Sequence, residues 1–380
     1  MPAQPLQILI KPAGADCNLA CKYCFYSCKG NLYPGERRHR MSDDVLRELV
    51  RRYMNHCDQA AAFAWQGGEP TLMGLDFFKR AVEYQKLYGR PGQMVSNSLQ
   101  TNGVLLDDAD WAKFLRNYKW LVGISLDGPA DVHDAWRVNH DGQPSHADVR
   151  RALDTLLEAE VEVNILTMVT PTNIHRGAEL YEYLLSTGVD FLQFIPLCEP
   201  LPDRSALADF TIDPVEYGEF LIEIFDLWIA EKPRTAYVRM FDDLLSVVMG
   251  NPHPTCMFGP ECGQYVVVEH NGDLYACDFF VDEEWKYGNL MEMDFHHIRK
   301  LPLWEKFRDR KTAGLDECAA CEWFDLCHGG CPKWRPAIML GEGSRKTYFC
   351  EAYKMLFAHA REPLAKLAAR LRDEQASRDH

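Results

Sequence analysis

The sequence predicts an α/β protein in which six βα units, two short of a closed eight-fold barrel, lead into a cysteine-rich domain and a C-terminal helix. Three observations carry this. Apolar strands and helical patterns alternate over residues 1–230 with few long loops. Strands such as LVGISL are almost continuously apolar, as suits a parallel sheet covered on both faces. From about residue 251 the punctuation changes to Cys, Gly and Pro. With 380 residues, 47% of them hydrophobic, the chain can bury a large core. The expected domains are residues 1–235 for the barrel, 236–350 for a linker and the cysteine-rich domain, and 351–380 for a helix and tail.

Strands are expected at residues 7–11, 62–66, 94–100, 121–126, 161–169 and 191–197. Helices separate them, since parallel crossovers need one. Ser42 is read as the N-cap of the helix that follows, with Asp43 and Asp44 suiting the positive end of its dipole. Asn173 is expected to cap residues 174–186, with Gly188 as the left-handed residue beyond the end. Asp213-Pro214 opens a further helix, with proline at its first position. In the cysteine-rich part, Asn271-Gly272 between short strands at 265–269 and 273–277 signals a hairpin. Leu364, Leu367 and Leu371 recur at helical spacing, so the tail reads as a surface-packed helix without a catalytic role.

A net charge of −15 argues against a nucleic-acid partner, which needs clustered Lys and Arg. The N-terminus lacks a charged segment followed by an adequate apolar run, so no signal peptide is expected. The apolar stretch FLIEIFDLWIA carries Glu223 and Asp226 and is too short to span a bilayer. Fourteen cysteines in such a chain point to metal ligands rather than disulfides, and to a reducing cytoplasm.

Cys17, Cys21 and Cys24 form a C-x3-C-x2-C loop. Three thiolates this close can hold a 4Fe–4S cube by three corners and leave one iron open to a ligand. A structural zinc ion would need a fourth ligand, and none lies at finger-like spacing. With Tyr23 and Phe25 flanking Cys24, the loop resembles that of radical S-adenosylmethionine (SAM) enzymes. The resemblance implies a partial (β/α)6 TIM-like barrel, in agreement with the six units counted, and an open iron that chelates the amino and carboxylate groups of SAM. The segment Gln66-Gly67-Gly68-Glu69-Pro70 resembles the family's GGEP motif after strand two. By that resemblance Gly67, Gly68 and Glu69 line up the methionyl amino group, and Tyr23 also belongs to the cofactor site. Ser125 and Arg137 would contact the SAM carboxylate and ribose region, and the strand-six end near Cys198 would contribute backbone.

Eight further cysteines follow, at 256, 262, 277, 318, 321, 327, 331 and 350. Eight thiolates suffice for two fully ligated cubanes, which would carry electrons or organise the fold; C-x2-C spacings also allow zinc ribbons. The spacing resembles the SPASM domain of peptide-modifying radical SAM enzymes. That resemblance assigns Cys256, Cys262, Cys277 and Cys331 to a nearer auxiliary cluster, and Cys318, Cys321, Cys327 and Cys350 to a distal one. Cys28 and Cys57 read as reduced free thiols.

From LIKPAGADCNLACKYCFY through QGGEPTLMGLDFF, SLQTNG, GISLDGP and YACDFFV to the last cysteine, the chain resembles anaerobic sulfatase-maturating enzymes. The resemblance implies three 4Fe–4S clusters, SAM, and oxidation of a Cys or Ser of a sulfatase to Cα-formylglycine. The substrate would be a sulfatase polypeptide with a C/S-x-P-x-R motif, and the electron donor flavodoxin or ferredoxin, acting on a monomer. Asp278, directly after Cys277, matches the base that deprotonates the substrate thiol or hydroxyl, and Tyr26 matches a tyrosine near the substrate. By the same resemblance a SAM-derived radical takes the Cβ hydrogen, and the remaining electron passes to the nearer auxiliary cluster. The alternative is a radical SAM maturase of a small ribosomal peptide. Such enzymes usually carry an extra recognition domain, for which no room is expected before Cys17.

Overall fold

The computed structural model describes residues 6–231 and 235–378. Residues 1–5 of the segment read as lacking a leader, and the last two residues of the tail, lie outside the described residues. The chain divides into two compact units, Met1–Leu126, His133–Asn164 and Gly263–Arg308 in one, Asp127–Val132, Ile165–Cys262 and Asp309–His380 in the other. The described strands are β1 (Gln7–Lys11), β2 (Ala60–Trp65), β3 (Met94–Thr101), β4 (Leu121–Ser125), β5 (Glu162–Val169), β6 (Phe191–Pro196), β7 (Tyr237–Val238), β8 (Tyr265–Glu269), β9 (Asp273–Tyr275) and β10 (Lys286–Asn289). All six strands expected from the sequence are present to within two residues.

In the first unit β1, β2, β3 and β4 pair in parallel, with Ile8 opposite Phe63 and Ile10 opposite Trp65. The other edge of β1 is covered by β8, also parallel, in a register that sets Lys11 opposite Glu269. The expected hairpin is there: β9 returns antiparallel to β8, and Gly272 takes φ +88° in the turn, where a side chain would be strained. β10 adds a further antiparallel strand, so the sheet is mixed and does not close. The expected cap is also in place. Ser42 accepts a 3.3 Å hydrogen bond from Val45 N at the head of the helix Asp43–His56. Behind the sheet, Trp65, Phe77, Phe78 and Trp120 pack largely edge to face in the core.

In the second unit β5 pairs in parallel with β6, and β6 with β7. Asp213 caps the helix Pro214–Ala230 through Val215 N (2.7 Å) and Glu216 N (3.2 Å). Along it runs the C-terminal helix Cys350–Arg378, which starts one residue earlier than expected. Gly218 lets the two approach: a Cβ there would come within 2.8 Å of Met355 Sδ. Leu364 and Leu367 are buried, as their spacing requires.

Asn173 corrects the reading of the sequence. The next helix begins at Gly177 with Arg176 at its N-cap, and Asn173 instead accepts from Thr170 N (2.8 Å) and donates to Asp127 O and Met168 O. A short Asn side chain serves an Asx-type loop as well as a helix start, and here the loop takes it. Among the described residues no helix is long and apolar enough to cross a membrane.

Candidate active site

The cysteine loop leaves the carboxyl end of β1, and neighbouring segments fix it by backbone. Gly68 N donates to Gly14 O and Glu69 N to Asp16 O, each at 2.8 Å. Gly68 has to be glycine, because a Cβ would lie 2.1 Å from Asp16 O. The segment 135–140 closes the other side: Ala20 N bonds Val138 O at 2.7 Å, Lys22 N bonds Trp136 O at 3.0 Å, and His140 Nε2 lies 3.0 Å from Cys17 O. His140 was not singled out in the sequence, since a lone loop histidine gives no signal.

Glu69 is fully buried. Its Oε1 accepts from Thr71 N (3.0 Å), Thr71 Oγ1 (2.6 Å) and Thr101 Oγ1 (2.7 Å), and its Oε2 from Asn102 N (2.8 Å). The carboxylate thus braces the segments that follow β2 and the end of β3, while the two glycines lie against the backbone of the cysteine loop. Burial raises the pKa of Glu69, against the lowering effect of those hydrogen bonds. Asn102 also reaches Cys17 Sγ at 3.6 Å. Burial, then the Glu69 charge, then Cys21 and Cys24 push Cys17 up to about 12, and Leu19 N pulls the other way. Three mutually interacting thiols on one glycine-cradled loop suit a cluster held at three corners.

Ser125 stands at the end of β4, where its Oγ accepts from Gln100 Nε2 at 3.2 Å. The Arg137 guanidinium lies over the Tyr23 ring, 5.4 Å from its centroid. Arg137 thus meets the cysteine loop through Tyr23. Cys198 lies past β6 in the second unit, buried, with Sγ 3.7 Å from Met339 Sδ, and burial pushes its thiol up to about 12. Asp127 accepts a 3.0 Å bond from Met168 N, which ties it to the end of β5.

The structure brings Asp278 to the cysteine loop. Tyr26, Val267, Tyr275 and Val281 form one buried cluster against which Cys24 and Phe25 pack, and the Phe25 and Phe279 rings lie 5.1 Å apart. Asp278 opens the short turn that follows Cys277, and its Oδ1 pairs with the ammonium of Lys11. Lys11 is only 2% exposed and sits 4.2 Å from the centroid of the Tyr26 ring. The Tyr26 hydroxyl donates to Glu269. Burial first, then the Glu269 and Asp278 charges, hold Tyr26 protonated well above the usual range. Lys11 and Glu269 escaped sequence reasoning: a strand-end lysine is ordinary, and its partner Asp278 lies far along the chain, past β8.

In the second unit Cys318, Cys321, Cys327 and Cys350 line one cavity, together with Trp323, Tyr353 and Phe357. This is the set expected for the distal cluster, and four thiols around a cavity suit a closed cubane. Cys256, Cys262 and Cys331 surround Lys311, whose buried ammonium donates to Cys256 O (3.1 Å), Met257 O (2.7 Å) and Gly330 O (2.8 Å). Cys277 belongs to the first unit.

The Radical SAM superfamily profile matches residues 12–184, and that of the iron-sulfur cluster-binding SPASM domain matches residues 256–322. A serine-type anaerobic sulfatase-maturating enzyme of Bacteroides thetaiotaomicron is 34% identical over 98% of this chain and 94% of its own length. The chain belongs to the anaerobic sulfatase-maturating enzymes. A cysteine-type member from Clostridium perfringens is 36% identical over 96% of this chain and 98% of its own. The solved structure of native anSMEcpe with bound AdoMet and Cp18Cys peptide superposes with a TM-score of 0.89 at 35% identity, covering 97% of this chain and 99% of that one. Membership makes the protein a radical SAM enzyme that uses SAM and 4Fe–4S clusters. Both substrate types occur among relatives of nearly equal identity, so overall identity does not separate them.

Proposed function

We propose that this enzyme oxidises a Cys or Ser side chain of a sulfatase C/S-x-P-x-R segment to Cα-formylglycine, with Asp278 as the base. The observation that carries the reading is the placement of Asp278: paired with buried Lys11, close enough for its charge to act on Tyr26, next in sequence to Cys277, and followed by Phe279, whose ring meets that of Phe25. Cys17, Cys21 and Cys24 hold the open-site cluster, and SAM meets Tyr23, Gly67, Gly68, Ser125 and Arg137 beside it. Cys318, Cys321, Cys327 and Cys350 hold one closed cluster; Cys256, Cys262 and Cys331 are ligands of another, and Cys277 stays an auxiliary-cluster ligand. When bound and reduced, the open-site cluster with SAM supplies the radical that removes one Cβ hydrogen atom, and a closed cluster supplies the acceptor for the second electron.

The chain's own residues do the rest. Asp278 takes the thiol or hydroxyl proton as the Cβ hydrogen departs, so that Ser gives the carbonyl directly and Cys gives a thiocarbonyl that water hydrolyses to the aldehyde with release of hydrogen sulfide. Lys11 holds that carboxylate in one orientation, and the Tyr26 ring walls the space beside it. Flavodoxin or ferredoxin is the expected donor, acting on a monomer in the cytoplasm, and the domain limits read from the sequence stand with this proposal. The experiment is anaerobic incubation of C-x-P-x-R and S-x-P-x-R peptides with holoenzyme, SAM and reductant. Mass spectrometry is expected to find the aldehyde in at least one. Intact peptides with continuing SAM cleavage, or a thioether crosslink, would favour the ribosomal-peptide reading instead.

A further inference from the structure

Beside the cysteine loop the first unit holds a constellation that the reaction above leaves unused. Glu36, His39 and His270 each offer a ligand atom, and the three atoms all lie within 4.8 Å of one another. Glu36 and His39 lie between the loop and the helix Asp43–His56, and His270 directly follows β8. Both imidazoles are buried, whereas the Glu36 side chain is 42% exposed.

Each ring is oriented from behind by a carboxylate. His39 Nδ1 lies 2.7 Å from Asp16 Oδ1, and His270 Nδ1 lies 3.2 Å from Glu269 Oε2. That is the outer-shell arrangement that fixes the tautomer of metal-bound histidines and leaves Nε2 to bind. His270 Nε2 stands 2.8 Å from Glu36 Oε2. His39 Nε2 is buried and has no hydrogen-bond partner. A proton between His270 and Glu36 would satisfy that pair and still leave the His39 nitrogen unmet, at a cost of about 1–3 kcal/mol for a buried polar atom. One divalent cation would satisfy all three.

We infer that Glu36, His39 and His270 form a zinc site, with water as the fourth ligand. Two imidazoles and a carboxylate match the donor set of three-ligand zinc centres, in which ligand atoms at about 2.0–2.2 Å from the ion stand roughly 3.3 Å apart. Glu36, on its exposed stretch, supplies the remaining closure. The site clasps the segment after the cysteine loop to the end of β8. Its outer residues also serve the active site: the Glu269 carboxylate accepts from the Tyr26 hydroxyl, and the Asp16 backbone carbonyl accepts from Glu69 N.

The test uses the full chain with its clusters loaded anaerobically, given one equivalent of Zn²⁺ and desalted through a weak chelator. Metal analysis should find about one zinc per chain beside undiminished iron, with only nitrogen and oxygen neighbours by zinc-edge X-ray absorption. Glu36→Gln, at an exposed side chain, and His39→Gln should each lower retained zinc by about tenfold or more without loss of iron. If His39→Gln also loses iron, Glu36→Gln decides alone. Wild type that retains no more zinc than Glu36→Gln, or a sulfur shell that puts the ion at cluster cysteines, overturns the site.

Discussion

The open-site loop and the auxiliary cysteines offer the same functional group, a thiol, in opposite electrostatic settings. Around Cys17, burial is the largest influence on the thiol and the Glu69 carboxylate the next, and both disfavour negative charge. Around Cys262 and Cys327 burial again comes first, but the next influence is the Lys311 ammonium, which favours it. Arg335, 1% exposed, adds a second buried cation that Cys262, Cys331, Cys318 and Cys327 all feel. Net charge and burial are among the levers that set an iron–sulfur potential. Acidic surroundings suit a centre that must give an electron to SAM, and cationic ones suit a centre that must accept an electron from substrate.

The largest test of that contrast removes a ligand. Cys24→Ala leaves two thiols on the loop, so 5′-deoxyadenosine formation should vanish while about two-thirds of the iron remains on the auxiliary cysteines. Undiminished SAM cleavage by this variant would mean that the loop is not the radical site. Next, Lys311→Met takes a donor from the Cys256, Met257 and Gly330 carbonyls, of which Gly330 O keeps a long bond from Arg335, at a cost of roughly 1–3 kcal/mol for each group left unsatisfied. Iron held by the auxiliary cysteines should then be lost sooner to a chelator, and any variant that keeps it should show a lower auxiliary potential by redox-titrated electron paramagnetic resonance. An unchanged potential would remove Lys311 from the account.

Glu69→Gln should act in the other direction and more weakly. It neutralises the acid beside Cys17 and its amide oxygen can still accept from Thr71 and Thr101, but its NH2 then faces the Asn102 N–H, so the open-site potential should rise with a stability loss of about 1–3 kcal/mol. A fall in potential would contradict the contrast. Smallest of all should be Lys354→Ala. This cation faces Cys350 from an exposed position, where water screens it, so the auxiliary potentials should scarcely move. A shift as large as that of Lys311→Met would mean that burial does not govern the effect.

How much of this was legible in the sequence follows from the range of each interaction. The cysteine loop, the glycine pair and the six strands are local patterns, and each was found where spacing put it. β7 and β10, two and four residues long, are too short to carry a period. The pairing of Lys11 with Asp278 depends on β8 docking beside β1, a long-range match between two apolar strands that no local signal fixes. The same docking brings His270 to His39, so both unforeseen features share one cause. Asn173 was misread because a cap and an Asx loop draw on the same side-chain chemistry.

The central claim is that Asp278 removes the substrate proton while the loop makes the radical, and the measurement that separates these is the ratio of formylglycine to 5′-deoxyadenosine in Asp278→Asn. Asparagine keeps the shape but accepts no proton at neutral pH. Iron content and SAM cleavage should survive, and formylglycine should fall by about 10²–10⁴-fold. The loss should be smaller for a Cys peptide than for a Ser peptide, because a thiol ionises more readily than a hydroxyl. Wild-type formylglycine yield from both peptides would contradict the account and reduce Asp278 to a turn residue that neutralises Lys11.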